Sequence, residues 1–488
     1  MSLINVSNLT FAYEGSYDNI FENVSFRMDT DWKLGFTGRN GRGKTTFLQL
    51  LMGKYAYHGS ITAAVQFEYF PYAVDDKEIS TKSVINKICE AYQDWELLRE
   101  LSLLEIPEEK LEQSYHTLSG GEQTKILLAA LFLKENNFLL IDEPTNHLDT
   151  HGRKILSKYL AGKQSFILVS HDRAFLDGCI DHVLSINKTN IEVQKGNFSS
   201  WWENKTRQDE FELAENAKLK KEIKRLEKTA REKAQWSDKI EATKIGGGPT
   251  DRGAIGARAA KMMKKSKAIE KRQTRSLEDK SQLLKNLDNA DALKITQLPY
   301  HSHRILSLRD VSLFYGEKPV CQHINLTIEQ GDRIALSGRN GSGKSTLLKL
   351  ITGEPLTYTG ELEKNNQLRI SYVSQDTTGL KGTLTHYANH YNLNESLFKA
   401  ILRKLDFSRI QLEKDIRDFS GGQKKKTLLA KSLCEKAHLL IWDEPLNFID
   451  VLSRIQIEDL LLTYKPTILF VEHDRIFCDK VATRKESL

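Results

Sequence analysis

The chain has 488 residues, which is too long for one hydrophobic core and predicts two or three domains. Its apolar content of 40% and charged content of 28% are ordinary for a globular protein. No apolar run approaches the roughly 18–20 residues that a membrane helix needs, the N-terminus lacks a signal-peptide core, and the five cysteines are scattered. These features argue against a membrane span, a disulfide framework and a cysteine metal site, and they predict a cytoplasmic protein with reduced thiols.

The net charge of +6 is unevenly distributed. Residues 239–275 contain eleven Lys or Arg against three Asp or Glu, so the rest of the chain is slightly acidic. A basic segment in a nearly neutral chain indicates either a polyanion partner or a solvated charged helix. Charge alone does not decide between these two interpretations.

A long internal repeat organises the chain. The stretch GRNGRGKT at 38–45 returns as GRNGSGKS at 338–345, and each copy fits the phosphate-binding loop G-x-x-x-x-G-K-[ST]. Matching residues lie 300–302 positions apart: Tyr13 and Tyr315, Lys44 and Lys344, Ser119 and Ser420, Asp142 and Asp443, Glu143 and Glu444, His171 and His473. Two copies of one domain are therefore predicted, over 1–200 and 303–488.

Within each copy, short apolar strand patterns alternate with helical patterns, which predicts an α/β fold with a mainly parallel sheet. Residues 201–302 differ, because helix-forming charged runs flank a glycine-proline break at 245–249. We interpret this segment as an antiparallel helical hairpin with arms on the order of 50 Å long, whose basic tip lies at about 239–275. A simple spacer is the alternative, but flexible spacers are usually rich in Gly and Ser.

The Asp-Glu pair that ends an apolar strand in each copy predicts hydrolytic chemistry. Asp142 and Asp443 are expected to hold Mg²⁺, and Glu143 and Glu444 to act as general bases toward water. His171 and His473 follow later strands; a lone histidine is more often structural, but its recurrence in both copies favours a contact with the γ-phosphate. Tyr13 and Tyr315 are placed to stack on adenine, with a half-buried strand tyrosine as the alternative.

The motifs LSGGEQ (118–123) and FSGGQK (419–424) complete a series that resembles the nucleotide-binding domains of the ABC superfamily. In that family two domains close head-to-tail, and the Ser-Gly-Gly of one caps the ATP held by the other. The resemblance implies one composite site from Lys44 with Ser420 and another from Lys344 with Ser119. The predicted ATP-binding residues are Tyr13, Gly38, Asn40, Gly41, Gly43, Lys44, Thr45, Thr46, Ser119, Gly120, Gly121 and Glu122 with Tyr315, Gly338, Asn340, Gly341, Gly343, Lys344, Ser345, Thr346, Ser420, Gly421, Gly422 and Gln423.

Two departures from the family pattern predict unequal sites. The family's glutamine is present as Gln375, but the matching position of the first copy is Tyr72. The loop PTNHLD (144–149) becomes PLNFID (445–450) in the second copy. Both glutamates are kept, so we expect two hydrolytic sites of different speed. The predicted Mg²⁺ ligands are Thr45, Asp142, Ser345, Gln375 and Asp443.

Twin heads joined by a helical hairpin resemble the ABC-F class of translation proteins. A transporter ATPase would have no use for the hairpin, and in chromosome-maintenance ATPases a coiled coil interrupts one head. The resemblance implies a monomer with paired heads that binds the bacterial 70S ribosome at the E site, near 23S rRNA and the P-site tRNA. The residues expected to contact RNA are Lys244, Arg252, Arg258, Lys261, Lys264 and Lys265.

Residues 28–46, MDTDWKLGFTGRNGRGKTT, are similar to the Lsa-type resistance proteins, which belong with the Vga-type group. This similarity implies ribosome protection against lincosamides, pleuromutilins and streptogramin A, with ATP acting as a conformational switch. A housekeeping ABC-F translation factor is the alternative, and a detached ATPase subunit of a drug exporter is less favoured.

Overall fold

A computed structural model of the chain describes residues 2–14, 19–146, 148–186, 191–212, 295, 297–316, 318–339 and 341–488, with isolated positions between 214 and 224. The chain divides into two compact units, one formed by residues 1–201 with 290–488 and the other by residues 202–289. The first unit contains both copies of the repeat, which we call the first head and the second head.

The first head combines a six-stranded sheet and a three-stranded antiparallel sheet. Its elements in chain order are β1 (Leu3–Phe11), β2 (Phe21–Asp29), β3 (Lys33–Thr37), α1 (Lys44–Leu51), β4 (His58–Thr62), β5 (Gln66–Phe70), α2 (Thr81–Ile88), α3 (Asp94–Leu103), α4 (Gly120–Phe132), β6 (Asn137–Asp142), α5 (Thr150–Ala161), β7 (Phe166–Val169), α6 (Arg173–Cys179), β8 (His182–Ile186) and β9 (Ile191–Lys195). The large sheet has the order β5-β6-β7-β3-β8-β9 and is parallel except for the β8–β9 pair.

The second head repeats this plan. Its elements are β10 (Arg304–Tyr315), β11 (Lys318–Glu329), β12 (Arg333–Ser337), α7 (Lys344–Thr352), β13 (Thr357–Lys364), β14 (Ile370–Val373), α8 (Leu384–His390), α9 (Glu395–Lys404), α10 (Gly421–Cys434), β15 (Leu439–Asp443), α11 (Val451–Tyr464), β16 (Ile468–Val471), α12 (Arg475–Val481) and β17 (Arg484–Ser487). The parallel sheet has the order β14-β15-β16-β12-β17, and β11-β10-β13 form the antiparallel sheet. Tandem α/β domains are therefore confirmed.

The central strands of both parallel sheets are buried on both faces. Strand β7 and strand β16 are apolar and buried at every position, as continuous apolar runs predict. Because parallel strands present their carboxyl ends at one edge, β6 and β15 bring their terminal Asp-Glu pairs close to the loops that follow β3 and β12. This edge carries the candidate sites.

The predicted hairpin lies mostly outside the described residues. Residues 202–212 of the second unit are helical, but residues 225–294, which include the basic tip and its six predicted RNA contacts, are not described. The hairpin and its contacts stay predictions. Among the described ranges, no helix combines the length and apolar character needed to cross a membrane.

A small helical core supports the signature motif of the second head. Phe398 in α9 is completely buried and its ring packs 6.1 Å from that of Tyr387 in α8, with the two planes 24° apart. We expect Phe398→Ala to lower the free energy of unfolding by about 3–5 kcal/mol, because it removes a large buried side chain and leaves a cavity. Phe398→Leu keeps most of the volume and should cost less. Equal losses in urea unfolding of the two variants would contradict this packing.

Candidate nucleotide-binding sites

Each phosphate loop is curled around its own lysine. In the first head, Gly38, Gly41 and Gly43 have φ angles of 155°, 82° and 89°, which glycine adopts without steric cost. Lys44 Nζ donates to the carbonyl oxygens of Gly38 at 2.7 Å and Arg39 at 3.1 Å. The ammonium group is therefore held inside the loop, in the arrangement that phosphate-binding loops use to meet a polyphosphate.

The second phosphate loop has nearly the same geometry. Gly338, Gly341 and Gly343 have φ angles of 154°, 82° and 92°, and Lys344 Nζ donates to the carbonyl oxygens of Gly338 at 2.9 Å and Arg339 at 2.8 Å. Burial lowers the pKa of both lysines. The predicted ligand Asn340 lies outside the described residues.

The helix that follows each loop presents a hydroxyl group to the strand-end aspartate. Thr45 Oγ1 donates to Asp142 Oδ2 at 3.0 Å, and Tyr69 Oη donates to the same oxygen at 3.1 Å. In the second head, Ser345 hydrogen-bonds Asp443. Burial raises the pKa of both aspartates despite these hydrogen bonds. Motif spacing predicts the Thr45–Asp142 pairing, but no sequence signal pointed to Tyr69.

The glutamate after each strand adopts a left-handed backbone conformation. Glu143 has φ 52° and Glu444 has φ 46°, a region that is unfavourable for residues other than glycine. Backbone hydrogen bonds hold both residues in this strained conformation. Glu143 N donates to Val169 O at 2.9 Å, and Glu444 N donates to Val471 O at 3.0 Å. Both carboxylates are thereby turned towards the histidine of their own head.

In the first head, Glu143 Oε1 lies 3.3 Å from His171 Nε2. Burial, reinforced by the neighbouring charge of Asp142, raises the pKa of Glu143 to about 8. Burial also places the pKa of His171 well below its usual value, with Lys44 acting in the same direction. At neutral pH these shifts favour the protonated form of Glu143 and the neutral form of His171.

The second head surrounds its glutamate with hydrogen-bond donors. Gln375 Nε2 donates to Glu444 Oε2 at 2.8 Å, Asn447 Nδ2 donates to the same oxygen at 2.6 Å, and His473 Nε2 lies 3.4 Å from Oε1. Although burial acts to raise the pKa of Glu444, His473, with smaller contributions from Lys425 and Asn447, lowers it overall. In the first head, Tyr72 replaces Gln375 and lines a cavity of about 530 Å³ with Asp142 and Glu143. The two glutamates therefore differ in charge state.

The changed loop PLNFID has a compensating contact. In the first head Thr145 Oγ1 and Ser170 Oγ lie 3.4 Å apart. In the second head Leu446 replaces the threonine, and its backbone N–H donates to Glu472 Oε1 at 2.7 Å. Glu472 occupies the position of Ser170, so an acidic side chain holds the loop where the hydroxyl pair is missing.

The tyrosines expected to stack on adenine lie beside the phosphate loops. Tyr13 is 40% exposed, and its hydroxyl lies 2.8 Å from Thr46 Oγ1. Its ring packs edge-on against Tyr55 with centroids 5.6 Å apart, so Tyr55 widens an aromatic surface that spacing did not indicate. Tyr315 is 55% exposed and its hydroxyl lies 3.5 Å from Thr346 Oγ1. Both rings are accessible to the adenine base of a nucleotide.

The signature motifs form capping boxes at the starts of α4 and α10. Glu122 N donates to Ser119 Oγ at 3.3 Å, and Ser119 N donates to Glu122 Oε2 at 2.8 Å. Ser420 and Gln423 repeat the arrangement at 3.3 Å and 3.0 Å. The backbone N–H groups at these helix starts are suited to an anion.

The second head meets the phosphate loop of the first. Asn40 Nδ2 donates to the carbonyl oxygen of Phe448 at 2.8 Å, and Arg39 Nη1 lies 3.3 Å from Asp406 Oδ1. A Cβ placed on the signature residue Gly422 would lie 3.2 Å from Asn40 Nδ2. Lys44 and the signature of the opposite head are thus near neighbours. Phe448 was not among the predicted site residues.

The pairing of Lys344 with the signature of the first head is described less completely, because Asn340 and His147 lie outside the described residues. Burial lowers the pKa of Lys344, and Asp149 of the first head is among the charges that oppose this effect, after Glu444 and Asp443. The loop that ends at Asp149 precedes α5, as the loop that ends at Asp450 precedes α11.

Comparison with known proteins identifies the fold and its activity. The family model described as ABC transporter matches residues 21–146 and 321–447. The chain is 30% identical over 512 residues to the ribosome protection protein VmlR of Bacillus subtilis (strain 168), an alignment that covers 99% of this chain and 86% of that protein. The chain belongs to the ABC-F family of ATPases. It is also 27% identical to the ATP-binding protein Uup of Buchnera aphidicola subsp. Schizaphis graminum (strain Sg), covering 99% of this chain and 80% of that protein.

Solved structures share the fold of this ABC-F ATPase. The archaeal ribosome recycling factor aABCE1, solved in complex with the archaeal ribosomal stalk protein aP1, superposes with a TM-score of 0.63 over 98% of this chain and 87% of that chain. The sequence identity is 19%, so the likeness concerns the fold alone.

The protonated state of Glu143 has a measurable consequence for stability. Between its ordinary value of 4.5 and about 8, the folded ATPase keeps a proton that the unfolded chain has lost, so stability falls as pH rises through this window. We expect Glu143→Gln to remove a slope of up to about 1.4 kcal/mol per pH unit. Denaturant unfolding without nucleotide across this window measures it.

Glu444→Gln is the matched control. The pKa of Glu444 lies below 4.5, so its removal should leave the slope above that pH unchanged. If Glu143→Gln also left the slope unchanged, Glu143 would be ionised in the closed heads.

Proposed function

We propose that this ABC-F ATPase acts in the cytoplasm on the bacterial 70S ribosome and protects it from antibiotics of the peptidyl transferase centre. The ATP-bound closed heads would dock at the E site, beside 23S rRNA and the P-site tRNA. The segment between the heads would reach the drug-binding region, and ATP hydrolysis would release the protein. Lincosamides, pleuromutilins and streptogramin A are the proposed drug classes.

The observation that carries this proposal is the alignment with VmlR, a ribosome protection protein, along 99% of this chain. The two heads are joined by residues 201–302, whose basic stretch suits recognition of RNA by charge and shape. A housekeeping ABC-F translation factor is the second candidate, because several ATP-binding relatives, Uup among them, align over nearly the whole chain at 26–28% identity.

The chemistry that we propose uses residues of both heads at each site. Lys44 would contact the β- and γ-phosphates of ATP, and the helix start behind Ser420 would cap the γ-phosphate. Glu143 would orient and deprotonate the attacking water, with His171 near the γ-phosphate. Because its raised pKa favours the protonated form, Glu143 must lose this proton before it can act as a base.

At the second site, Lys344 and the helix start behind Ser119 would hold the substrate. Glu444 would act as the base, and its lowered pKa already leaves it ionised at neutral pH. Gln375 donates a hydrogen bond to this carboxylate, and His473 would lie near the γ-phosphate. We therefore propose that the second site is the faster of the two.

The residues present fit Mg²⁺. Asp443 Oδ1 is buried and makes no hydrogen bond among the described residues, which leaves a carboxylate oxygen available for a cation. Thr45 with Asp142, and Ser345 with Asp443 and Gln375, supply the oxygen ligands that Mg²⁺ prefers together with substrate phosphates. When bound, Mg²⁺ would neutralise charge on the phosphates.

A membrane-free translation assay tests the proposal. We expect the purified protein with ATP to restore protein synthesis in a bacterial extract inhibited by a lincosamide or a pleuromutilin. Glu143→Gln combined with Glu444→Gln should bind ATP, stay on the ribosome and block translation. Wild-type protein without ATP is the control.

The outcomes distinguish the candidate functions. Rescue without membranes would exclude drug export. Failure of rescue, with the double variant still blocking translation, would favour a housekeeping translation factor. If neither effect occurred, the ribosome proposal would be wrong.

The basic tip supplies a second test. We expect replacement of Lys261, Lys264 and Lys265 by Gln to weaken ribosome binding and to reduce its dependence on salt by up to three ion contacts. Replacement of Lys82, Lys87 and Lys404 on the heads, by Gln, is the matched charge control. Ribosome pelleting over a series of salt concentrations measures the effect. Equal salt slopes in all three proteins would show that the tip is only a solvated charged segment.

A further inference from the structure

A cavity of about 430 Å³ lies between the two heads, beside the second candidate ATP site. Helices α5 and α6 of the first head form one wall, and His473 and Arg475 of the second head contribute to the other. The volume falls within the range of pockets that hold small molecules. Among the described residues that line it, only His473 takes part in the chemistry of ATP hydrolysis proposed above.

The equivalent place on the other flank of the heads is filled. There Arg173 Nη2 lies 2.7 Å from Glu458 Oε2, and Lys480 Nζ lies 2.7 Å from Glu458 Oε1. Arg173 is 5% exposed and Glu458 is 2% exposed, so the ion pair joins the two heads in a dry environment.

The internal repeat explains why the cavity exists. At the repeat spacing of 301–302 residues, Arg475 corresponds to Arg173, Ser157 to Glu458, and Gly178 to Lys480. Two long charged side chains are therefore replaced by the two small residues Ser157 and Gly178, and both line the cavity. Arg475 faces Asp479 of its own helix at 3.5 Å, and its side chain is 66% exposed.

The charges around the cavity favour an anion. Asp172 is already matched by Arg153, whose Nη1 lies 2.9 Å from Asp172 Oδ2. Lys154 and Lys158 add two positive charges to the lining, and Arg475 adds a guanidinium whose ion partner is Asp479 of its own helix. Phe175, Ala161 and Ala174 provide an apolar surface for the body of a ligand.

We propose that this cavity binds a small organic carboxylate, whose carboxylate group takes the place that Glu458 fills on the other flank. A guanidinium group pairs with a carboxylate in a planar, bidentate geometry, and this is the partner that Arg173 has and Arg475 lacks across the heads in the described structure. The ligand would join α5 of the first head to α12 of the second. It would thereby favour closure of the heads on the flank of the second ATP site.

Isothermal titration of the full-length protein with glutarate tests the site, and inorganic phosphate serves as the comparison anion. We expect one saturable glutarate site per chain. Ser157→Glu combined with Gly178→Lys should abolish it, because the new side chains reproduce the ion pair of the other flank. Arg475→Gln, which removes the guanidinium without filling the cavity, should weaken glutarate binding at least about tenfold.

Lys82→Gln, on helix α2 and away from the cavity, is the matched control and should leave the affinity unchanged. Absence of saturable glutarate binding at millimolar concentrations would overturn the proposal. Equal binding by the filled variant would do the same, and saturable binding of phosphate but not glutarate would overturn the carboxylate class. If the filled variant failed to fold, the comparison of Arg475→Gln with Lys82→Gln would still decide.

Discussion

Burial of charge at the first composite site is the constraint on which the closed arrangement of the heads depends. Lys44 is buried among groups from both heads, and Asp450 of the second head is the strongest of the charges that oppose the effect of burial on its pKa. Arg454 of the second head acts on Glu143 in the same stabilising sense. Because each head supplies countercharges to the other, the electrostatics of this site belong to the pair of heads and not to either one.

The same constraint explains why two nearly identical sets of motifs yield different sites. Glu444 receives hydrogen bonds from Gln375 and Asn447, so its negative charge is stabilised in a buried position. Glu143 has Tyr72 at the position of the glutamine, and its closest charged neighbour along the chain is Asp142. A buried carboxyl beside another carboxyl keeps its proton. The pKa values of the two glutamates therefore shift in opposite directions, because His473, Lys425 and Asn447 outweigh burial at Glu444, whereas burial and Asp142 dominate at Glu143.

Much of this structure can be predicted from local sequence, because many of its elements are determined by residues that lie close together in the chain. The glycines of the phosphate loops predict the curled backbone, and Ser119 with Glu122 forms a capping box across one helical turn. The apolar strands predict the position of the Asp-Glu pairs. In each case the deciding contacts lie within a motif or between adjacent parallel strands, and motif spacing reports them directly.

Contacts between distant elements could not be predicted in this way. Tyr69 reaches Asp142 from a neighbouring strand, and Phe448 meets Asn40 only because the heads are paired. The link between Leu446 and Glu472 compensates for a lost threonine through a residue 26 positions away. A comparison of the two copies would have exposed one of these features, since Ser170 against Glu472 is a visible difference in the repeat.

The two flanks of the paired heads are constrained to different degrees. On one flank, any displacement that separated Arg173 from Glu458 while Arg173 stayed buried would leave the guanidinium without its carboxylate partner on the second head, which costs about 3–5 kcal/mol. A buried ion pair adds little net stability, but it penalises incorrect registers strongly. On the other flank, Ser157 and Gly178 leave a cavity that tolerates small displacements. The heads are therefore held in register beside the first site, while the geometry beside the second site retains freedom to adjust.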